Sequence, residues 1–268
     1  MVRLIVLLFL TIQFKEVSRD VIESRLRLAP TKNKQREPEL RDLFEQTGCP
    51  QLSEQPVKHE KEPNVICSVP GSTGSTIVVG AHFDFVDRGS GVLDNWSGAG
   101  LLPSLLESLG GIAHRHRFVF IGFTGEEKGL IGSKFYVHEL TPEQRGQIHA
   151  MINLDSLGAS PTKFEETRGD KVLLDALAAL ARNMKLPASV VNVHNLGRSD
   201  SDSFQDARIP AILFHSITPE LWPILHTNRD QLAAVHMDDY YDSFRLIAAY
   251  LAYLDEVLDP PTTIKTWP

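Results

Sequence analysis

The sequence predicts an α/β fold, a three-layer α/β/α sandwich whose central sheet is mixed and mostly parallel. Two observations predict this class. Continuous apolar runs rich in Val, Ile and Phe are typical of strands that are covered on both faces. Amphipathic segments with a helical period lie between these runs, and such alternation favours a parallel or mixed sheet with helices on both sides. A chain of 268 residues with 42% hydrophobic residues can form one sizeable domain with its own core.

The predicted strands are mostly long apolar runs. The clearest are residues 75–84, 116–125, 148–158 and 209–217, and residues 188–194 form a fifth. Cys49 and Cys67 each border a further strand. Because the long runs show no polar alternation, we expect them to form the buried centre of the sheet.

The predicted helices show apolar residues at helical spacing. They are residues 19–29, 38–48, 95–111, 133–142, 170–185 and 238–258. Helix-ending residues set several boundaries: Gly48 closes the second helix, a glycine pair closes the third, Pro142 stops the fourth, and the proline pair at 260–261 ends the last.

The net charge of −7 is mild, and no basic stripe is clustered with aromatic residues. Nothing in the sequence therefore indicates nucleic-acid binding. The acidic excess fits solubility better than it fits cation binding.

The N-terminus carries an apolar run at residues 4–12, behind a single Arg3. The run is too short to span a bilayer, which needs roughly 20 residues. It is similar to the hydrophobic region of a signal peptide, although no Ala-x-Ala cleavage site follows. We predict a signal or anchor segment at residues 1–15, a single domain at residues 16–268 and an extracytoplasmic location, secreted or periplasmic. The alternatives are a buried N-terminal strand and a misassigned start.

The chain has two cysteines, Cys49 and Cys67. In an exported protein they could form a disulfide. The alternative is two separate small core residues, and the sequence favours neither. No CxxC metal-binding pattern is present.

Polar side chains follow the predicted strands at one edge of the sheet, where open α/β sheets bind ligands. They are His82 and Asp84 after the first long run, Glu126 and Glu127 after the second, Asp155 after the third and His226 beyond the fourth, with Asp94 at the start of a helix. Each has an ordinary alternative role, such as a helix N-cap for Asp94 or a helix N-terminal acid for Glu126 and Glu127. Together, the converging carboxylates would repel each other unless a cation lay among them.

Two histidines with three or more carboxylates suit a divalent transition metal, zinc first. The set contains more carboxylates than one zinc with three protein ligands would use. It fits two metals bridged by a carboxylate and a water. No HExxH, P-loop, GxGxxG or GxSxG pattern competes with this interpretation.

These residues stand in the segments "GAHFD", "LDNWSGAG", "FTGEEKGLIGSKFY", "MINLDSLG", "SDSDSFQDARIPAI" and "LHTNRDQL". In order and spacing they resemble the co-catalytic zinc aminopeptidase family, of the bacterial leucyl aminopeptidase and aminopeptidase Y type (metallopeptidase family twenty-eight). The resemblance runs from about Asn64 to the C-terminal helix. It implies a sandwich of the zinc-exopeptidase (phosphorylase/hydrolase-like) type, a zinc peptidase catalytic domain over residues 16–268, and peptide substrates with a free N-terminus.

The resemblance also implies a site for two zinc ions per chain. The expected ligands are His82 and Asp155 for one ion, Glu127 and His226 for the other, and Asp94 bridging both. Asp84 would orient the imidazole of His82. Glu126 would act as the general base: it would take a proton from the metal-bridging water, and the resulting hydroxide would cleave the N-terminal peptide bond.

Two positions depart from the family. Ser201 stands where the family often has a histidine, and Leu196 stands where some members have a tyrosine that stabilises the oxyanion. Among nearby residues, His194, Asn195 and Arg198 could supply a donor in its place.

Three other functions remain open. The first is glutaminyl cyclase, since these enzymes share the fold and nearly the same site but act with one zinc. The segment "ITPELWPILH" resembles them faintly. The uninterrupted "EEKGLIGS" and the "LDN" favour the peptidase. A carboxypeptidase or another amidase of the same fold is the second alternative. A non-enzymatic relative is the third, although such proteins usually lose ligands and here the whole set is present.

Overall fold

The computed structural model describes residues 2–7, 10–165, 168–193, 195 and 197–258, with side chains from residue 12 onward. The strands are β1 (Val2–Leu7), β2 (Leu10–Lys15), β3 (Gln51–Gln55), β4 (Asn64–Val69), β5 (Thr76–His82), β6 (Arg117–Phe123), β7 (Ile148–Leu154), β8 (Thr162–Phe164), β9 (Ala188–Val190) and β10 (Ala211–His215). The helices are α1 (Arg19–Arg27), α2 (Asn33–Gln46), α3 (Ser97–Ala99), α4 (Leu102–Leu109), α5 (Ile131–Glu139), α6 (Pro142–Gln147), α7 (Lys171–Met184), α8 (Asp200–Asp206) and α9 (Met237–Val257).

Eight strands form one sheet in the order β3-β4-β6-β5-β7-β10-β8-β9. The four central strands, β6, β5, β7 and β10, run parallel to one another. Antiparallel pairs lie outside them, β3 with β4, β4 with β6, and β10 with β8. The prediction of a mixed, mostly parallel sheet is therefore confirmed, and the carboxyl ends of the four central strands meet at one edge.

The central strands are buried on both faces, which explains their continuous apolar sequences. In β5, Ile77 and Val79 pack into the larger hydrophobic cluster, which includes side chains of α1, α2, α4, α7 and α9. Val78, between them, packs into a second cluster on the other face with side chains of α5 and α8. Because neighbouring residues of a strand point to opposite faces, the sheet forms the middle layer of the predicted α/β/α sandwich.

The helix predicted at residues 95–111 is interrupted, and this boundary prediction was wrong. An irregular turn, Val92–Trp96, precedes α3, and α4 begins only at Leu102. The side chain of Asn95 explains the start of α3: its Oδ1 accepts from Gly98 N at 2.9 Å, and its Nδ2 donates to Leu154 O at 2.8 Å. The backbone of Asp94 is non-helical, with φ −115° and ψ 91°. Asp94 is therefore presented from a turn rather than as a helix N-cap.

Other boundaries also differ from the predictions. The helix predicted to stop at Pro142 ends at Glu139, and Pro142 instead begins α6. Proline suits a first helical position, and Thr141 and Gln144 cap the new helix reciprocally. Of the strand predicted at residues 188–194, the described residues 188–193 form one only at β9, and residue 194 lies outside the described residues. The short elements β8 and α8 were not predicted. The proline pair at 260–261 lies outside the described residues.

The N-terminal segment forms an antiparallel hairpin, β1 with β2. Ile12 and Phe14 of β2 are fully buried in the larger hydrophobic cluster. This packing agrees with the strand alternative, and a signal or anchor role for residues 1–15 stays a prediction. No described helix has the length and apolar character that crossing a membrane requires.

Cys49 and Cys67 form a disulfide, with their Cα atoms 5.9 Å apart. Cys49 lies two residues before β3, and Cys67 lies within β4, where it faces Leu52 of β3. Of the two alternatives that the sequence left open, the paired one is confirmed.

Candidate metal centre

The predicted site residues meet at the carboxyl ends of the central strands. His82 is the last residue of β5, Asp155 directly follows β7, Glu126 and Glu127 follow β6, and His226 lies in the loop beyond β10. Asp94 reaches the same place from the turn after β5. The parallel sheet thus gathers residues that are far apart in sequence.

Asp94 lies between two groups of potential ligands. Its Oδ1 is 3.3 Å from His82 Nε2, and its Oδ2 is 3.2 Å from His226 Nε2. Asp155 Oδ1 lies 3.8 Å from the same nitrogen of His82, and Glu127 Oε2 lies 3.0 Å from that of His226. Within each group the ligand atoms lie within 4.8 Å of one another. The side chains therefore form two three-residue clusters that share one carboxylate.

Glu126 lies beside the first of these clusters. Its Oε2 is 4.0 Å from His82 Nε2, and it also groups with His82 and Glu127. Burial raises the pKa of Glu126 well above its usual value, and although His82 opposes this, the nearby Asp200 and Asp155 add to it. A carboxylate whose pKa is raised is suited to accepting and returning a proton.

Asp84 lies behind His82, as expected, but its carboxylate makes its hydrogen bonds elsewhere. Oδ1 accepts from Glu126 N at 3.0 Å and Oδ2 accepts from Glu127 N at 3.2 Å. The carboxylate is 3.7 Å from His82 Nδ1, whereas the backbone oxygen of Asp84 is 3.1 Å from that nitrogen. The side chain of Asp84 thus holds the backbone of the glutamate pair, and its carbonyl orients the imidazole.

The charged groups of this cluster shift one another's pKa values. Burial disfavours the charged form of His82, but the surrounding carboxylates, Glu126 foremost, outweigh it and raise the pKa of His82. Hydrogen bonds with Asp94 and Glu127 raise the pKa of His226 to about 10. Burial alone would raise the pKa of Asp94, yet the imidazoles of His226 and His82 lower it below its usual range. The carboxylate of Asp94 is thus stabilised by positive charge, which is what a bound cation supplies.

The donor set fits divalent zinc. In the described part of the chain, Glu127 Oε1 is buried without a hydrogen-bond partner, whereas buried polar atoms are normally paired. A metal ion would satisfy this oxygen. Imidazole nitrogens and carboxylate oxygens are usual zinc ligands.

Asp230 supports the turn that carries Asp94, and sequence reasoning did not single it out. Its Oδ1 accepts from Leu93 N at 2.7 Å, its Oδ2 accepts from Asp94 N at 3.2 Å, and its carbonyl accepts from Ser90 N at 2.9 Å. Burial is the main cause that raises the pKa of Asp230 to about 6. Its place in the "LHTNRDQL" segment, four residues after His226, is the signal that could have found it.

A second missed acid is Asp200, the first residue of α8, within "SDSDSF". It has no exposed surface, and burial raises its pKa to about 7. Ser201, at the family's histidine position, is also buried, and its hydroxyl lies 2.8 Å from that of Ser199. Asp200 therefore adds a buried titratable group close to Glu126 and Asp155.

A cavity of about 330 Å³ opens onto the cluster. That volume lies within the range of roughly 300–1,000 Å³ typical of small-molecule sites. Its apolar wall includes Val193, Leu213, Ile217, Trp222 and Leu225.

Of the predicted alternative oxyanion donors, Arg198 lines the cavity, and its Nη2 donates to Asp206 at 2.6 Å. Asn195 is exposed. His194 and Leu196 lie outside the described residues.

Comparison with known proteins places the chain among peptidases. Residues 64–251 match the model of Peptidase family M28. The chain is 30% identical over 150 residues to leupeptin-inactivating enzyme 1 of Streptomyces exfoliatus, an alignment that covers 55% of this chain and 34% of that protein. It is 32% identical over 168 residues to the probable lipoprotein aminopeptidase LpqL of Mycobacterium tuberculosis, covering 56% and 34%. The chain thus spans about a third of the length of these relatives.

Solved structures share the fold. The LapA aminopeptidase of Legionella pneumophila superimposes with a TM-score of 0.79 at 22% identity, covering 91% of this chain and 73% of LapA. The aminopeptidase of Aneurinibacillus sp. strain AM-1 gives 0.64 at 27% identity, covering 72% and 48%. A glutaminyl cyclase of Porphyromonas gingivalis gives 0.68 at 16% identity, covering 88% and 98%. The same fold therefore occurs in proteins named for two different activities.

Proposed function

The chain belongs to peptidase family M28, and we propose that it is a zinc-dependent aminopeptidase that hydrolyses the N-terminal peptide bond of peptides. The observation that carries this proposal is the pair of clusters that share Asp94, with Glu126 beside them at the cavity. Two such clusters match the requirement of a two-metal hydrolase for a shared carboxylate between its ions.

Five residues would hold the two zinc ions. Asp94 would contact both, with His82 and Asp155 completing one site and Glu127 and His226 completing the other. Bound there, zinc would polarise the carbonyl of the substrate and lower the pKa of a water molecule.

Glu126 moves the proton in this mechanism. Its raised pKa suits a carboxylate that accepts a proton from the attacking water. As the water oxygen bonds to the carbonyl carbon and the C–N bond breaks, Glu126 returns that proton to the leaving amine. Asp84 keeps Glu126 in place through the hydrogen bond to its backbone nitrogen.

The charges around the cavity favour a substrate with a free N-terminus. Glu126, Glu127, Asp94 and Asp155 all line it, together with the two histidines. With zinc bound to the other three, Glu126 keeps an unligated carboxylate that would attract a protonated α-amine, whereas a blocked amine carries no charge. The apolar wall around Trp222 offers space for the N-terminal side chain.

Cyclisation of N-terminal glutamine is the second candidate function. The glutaminyl cyclase fold aligns over almost its whole length, and Trp222 lines the cavity ahead of His226. The sharing of Asp94 between two clusters favours the aminopeptidase, because it provides for a second metal ion.

Zinc titration combined with a substrate panel tests the proposal. Metal-free protein should gain activity on aminoacyl substrates until elemental analysis finds about two zinc ions per chain, with little action on N-blocked or carboxypeptidase substrates. Full activity with one zinc, together with cyclisation of N-terminal glutaminyl peptides, would instead establish the cyclase. Cleavage of blocked substrates alone would indicate another amidase.

An extracytoplasmic location is also part of the proposal. The Cys49–Cys67 disulfide supports it, since disulfides persist mainly in oxidising compartments. Fractionation of the native host followed by thiol labelling should find the protein outside the cytoplasm with both cysteines oxidised. Recovery in the cytoplasm with free thiols would contradict it.

A further inference from the structure

Arg36 of α2 lies beneath the loop that joins His82 to Asp94. Its side chain has no exposed surface. Nη1 donates to Phe83 O at 2.9 Å, and Nη2 donates to Ser90 O at 2.6 Å and to Gly91 O at 2.8 Å. The guanidinium therefore connects the start of this loop, next to His82, with its end, three residues before Asp94.

Asn33, one helical turn earlier, holds the same loop at Phe85. Its Nδ2 donates to Phe85 O at 2.9 Å, and its Oδ1 accepts from Phe85 N at 2.9 Å. The guanidinium carbon of Arg36 also lies 4.1 Å from the centroid of the Phe85 ring. Residues 83–91 are thus fixed to α2 at both ends and at Phe85.

A glycine stands where the guanidinium approaches the end of the loop. Gly91 adopts φ 53°, a left-handed conformation that favours glycine. A Cβ atom there would lie 2.4 Å from Phe85 Cβ and 2.9 Å from Arg36 Nη2. The close approach of the guanidinium therefore depends on glycine at this position.

Arg36 carries a buried charge without a direct carboxylate partner. None of the ion pairs among the described residues includes it, and its hydrogen bonds go to carbonyl oxygens. Burial lowers its pKa to about 10, with Asp230 and the acids of the metal centre acting against that shift. The group stays positive at neutral pH. Burying a charge in this way is costly, and Asp230 first, followed by the acids of the metal centre, supplies the negative charge that offsets it.

We propose that Arg36 and Asn33 are positioning residues of the metal centre, which set the separation of His82 and Asp94 by holding the loop between them. The proposal rests on the zinc site proposed above. It assigns a role in zinc binding to α2, which lies before the residues 64–251 that match the family model. Loss of a group that orients metal ligands typically lowers metal affinity about 10- to 100-fold.

The main test compares Arg36→Met with Arg41→Met. Arg41 lies on the same helix and pairs with surface glutamates, including Glu45 at 3.2 Å, so it is a matched control. Zinc affinity is measured by competition with a chromophoric chelator on protein whose circular dichroism shows it to be folded. We expect Arg36→Met to bind zinc about 10- to 100-fold more weakly, and Arg41→Met to bind like the wild type.

Arg36→Lys separates geometry from charge. Lysine keeps the positive charge but lacks the rigid fork that reaches carbonyls on both sides, so its zinc affinity should stay close to that of Arg36→Met. Restoration of wild-type affinity by lysine would overturn the positioning role. Asn33→Ala removes both hydrogen bonds to Phe85 and should also weaken zinc binding. If Arg36→Met does not fold, the zinc affinity of Asn33→Ala tests the positioning role in its place.

The outcomes distinguish this inference from the proposed function. A purely structural role predicts lower stability of the metal-free variants with unchanged zinc affinity, and that result would overturn the inference alone. A wild-type protein that binds no zinc would overturn the proposed function as well.

Discussion

Glu126 and Glu127 are adjacent and chemically identical, yet their surroundings differ. Glu127 Oε2 lies 3.0 Å from His226 Nε2, whereas Glu126 Oε2 lies 4.0 Å from His82 Nε2. Asp84 accepts a hydrogen bond from each backbone nitrogen and so fixes both. Since successive side chains leave the backbone in different directions, one can serve a metal while the other serves the water.

Replacement of each glutamate by glutamine should give opposite patterns. Glu126→Gln keeps the size of the side chain but cannot accept the proton. Both zinc ions should therefore remain, while turnover should fall about 10²- to 10⁴-fold or more. Glu127→Gln removes a charged ligand, so one zinc ion should bind more weakly and added zinc should partly restore activity. Turnover rates and zinc content, measured on both variants across a zinc titration, check this.

The two variants serve as controls for each other. Loss of zinc from Glu126→Gln with retention of both ions in Glu127→Gln would mean that the roles are reversed. Activity within a few-fold of the wild type in both variants would mean that this cluster is not the active site.

At the scale of elements, the β3–β4 hairpin is joined to the end of α2 by the Cys49–Cys67 disulfide, across a sequence separation of 18 residues. Closing a loop of this size stabilises a protein by about 3 kcal/mol, mainly through the unfolded chain. Replacing both cysteines by alanine should lower the free energy of unfolding by about 2–4 kcal/mol, as measured in denaturant. Zinc content and activity of the folded protein should not change, because Cys67 lies opposite Phe120 in the middle of β6 and not at its carboxyl end.

Reduction of the wild-type protein is the matching control. Reduction should lower the free energy of unfolding of the wild type by the same amount as the double replacement. The same treatment of the double variant should cause no further loss of stability. A large fall in zinc content after reduction would contradict this separation between hairpin and metal centre.

The C-terminal end of α9 is held at the opposite end of the sheet by Asp255. Its Oδ1 accepts from His116 N at 2.7 Å and its Oδ2 accepts from Arg115 N at 3.2 Å, while His114 Nδ1 lies 3.3 Å away. Burial would raise the pKa of Asp255, but its hydrogen bonds with His114 and His116 outweigh burial and lower it below its usual range. The carboxylate thus links α9 to the segment that enters β6.

Acid should weaken this link. Because the folded pKa of Asp255 is below the unfolded value of about 3.9, its contribution is complete above that value and is lost as the pH falls toward the folded pKa. Asp255→Asn should lower the free energy of unfolding at pH 7 by about 1.5–3 kcal/mol. The difference from the wild type should shrink as the pH falls below about 4. A difference that is independent of pH would contradict the role of charge.

Across the whole molecule, features that show in the local sequence could be predicted, whereas features that depend on contacts between distant residues could not. The central strands could be recognised because burial on both faces leaves continuous apolar runs. The convergence of the proposed ligands could be predicted because parallel strands end at one edge. The break in the helix at residues 95–111 could not be predicted, because it depends on Asn95 bonding to Leu154, far along the chain. Arg36 and Asn33 carried no signal, since their partners are backbone atoms and any sequence provides those.

The order of the central strands has a consequence for folding kinetics. β5 lies between β6 and β7, and β10 pairs with the far side of β7. The proposed ligands, from His82 to His226, therefore converge only when all four strands are paired. Such non-local pairing makes folding slow. If the proposed zinc ligands come together last, their cluster is not yet formed in the folding transition state. Zinc should therefore slow unfolding and leave the refolding rate unchanged. Stopped-flow measurements with and without zinc check this, and refolding that accelerates with zinc would mean that the cluster forms early. On this view, the lifetime of the folded protein at low zinc concentration is governed by its rate of unfolding rather than by its ability to refold.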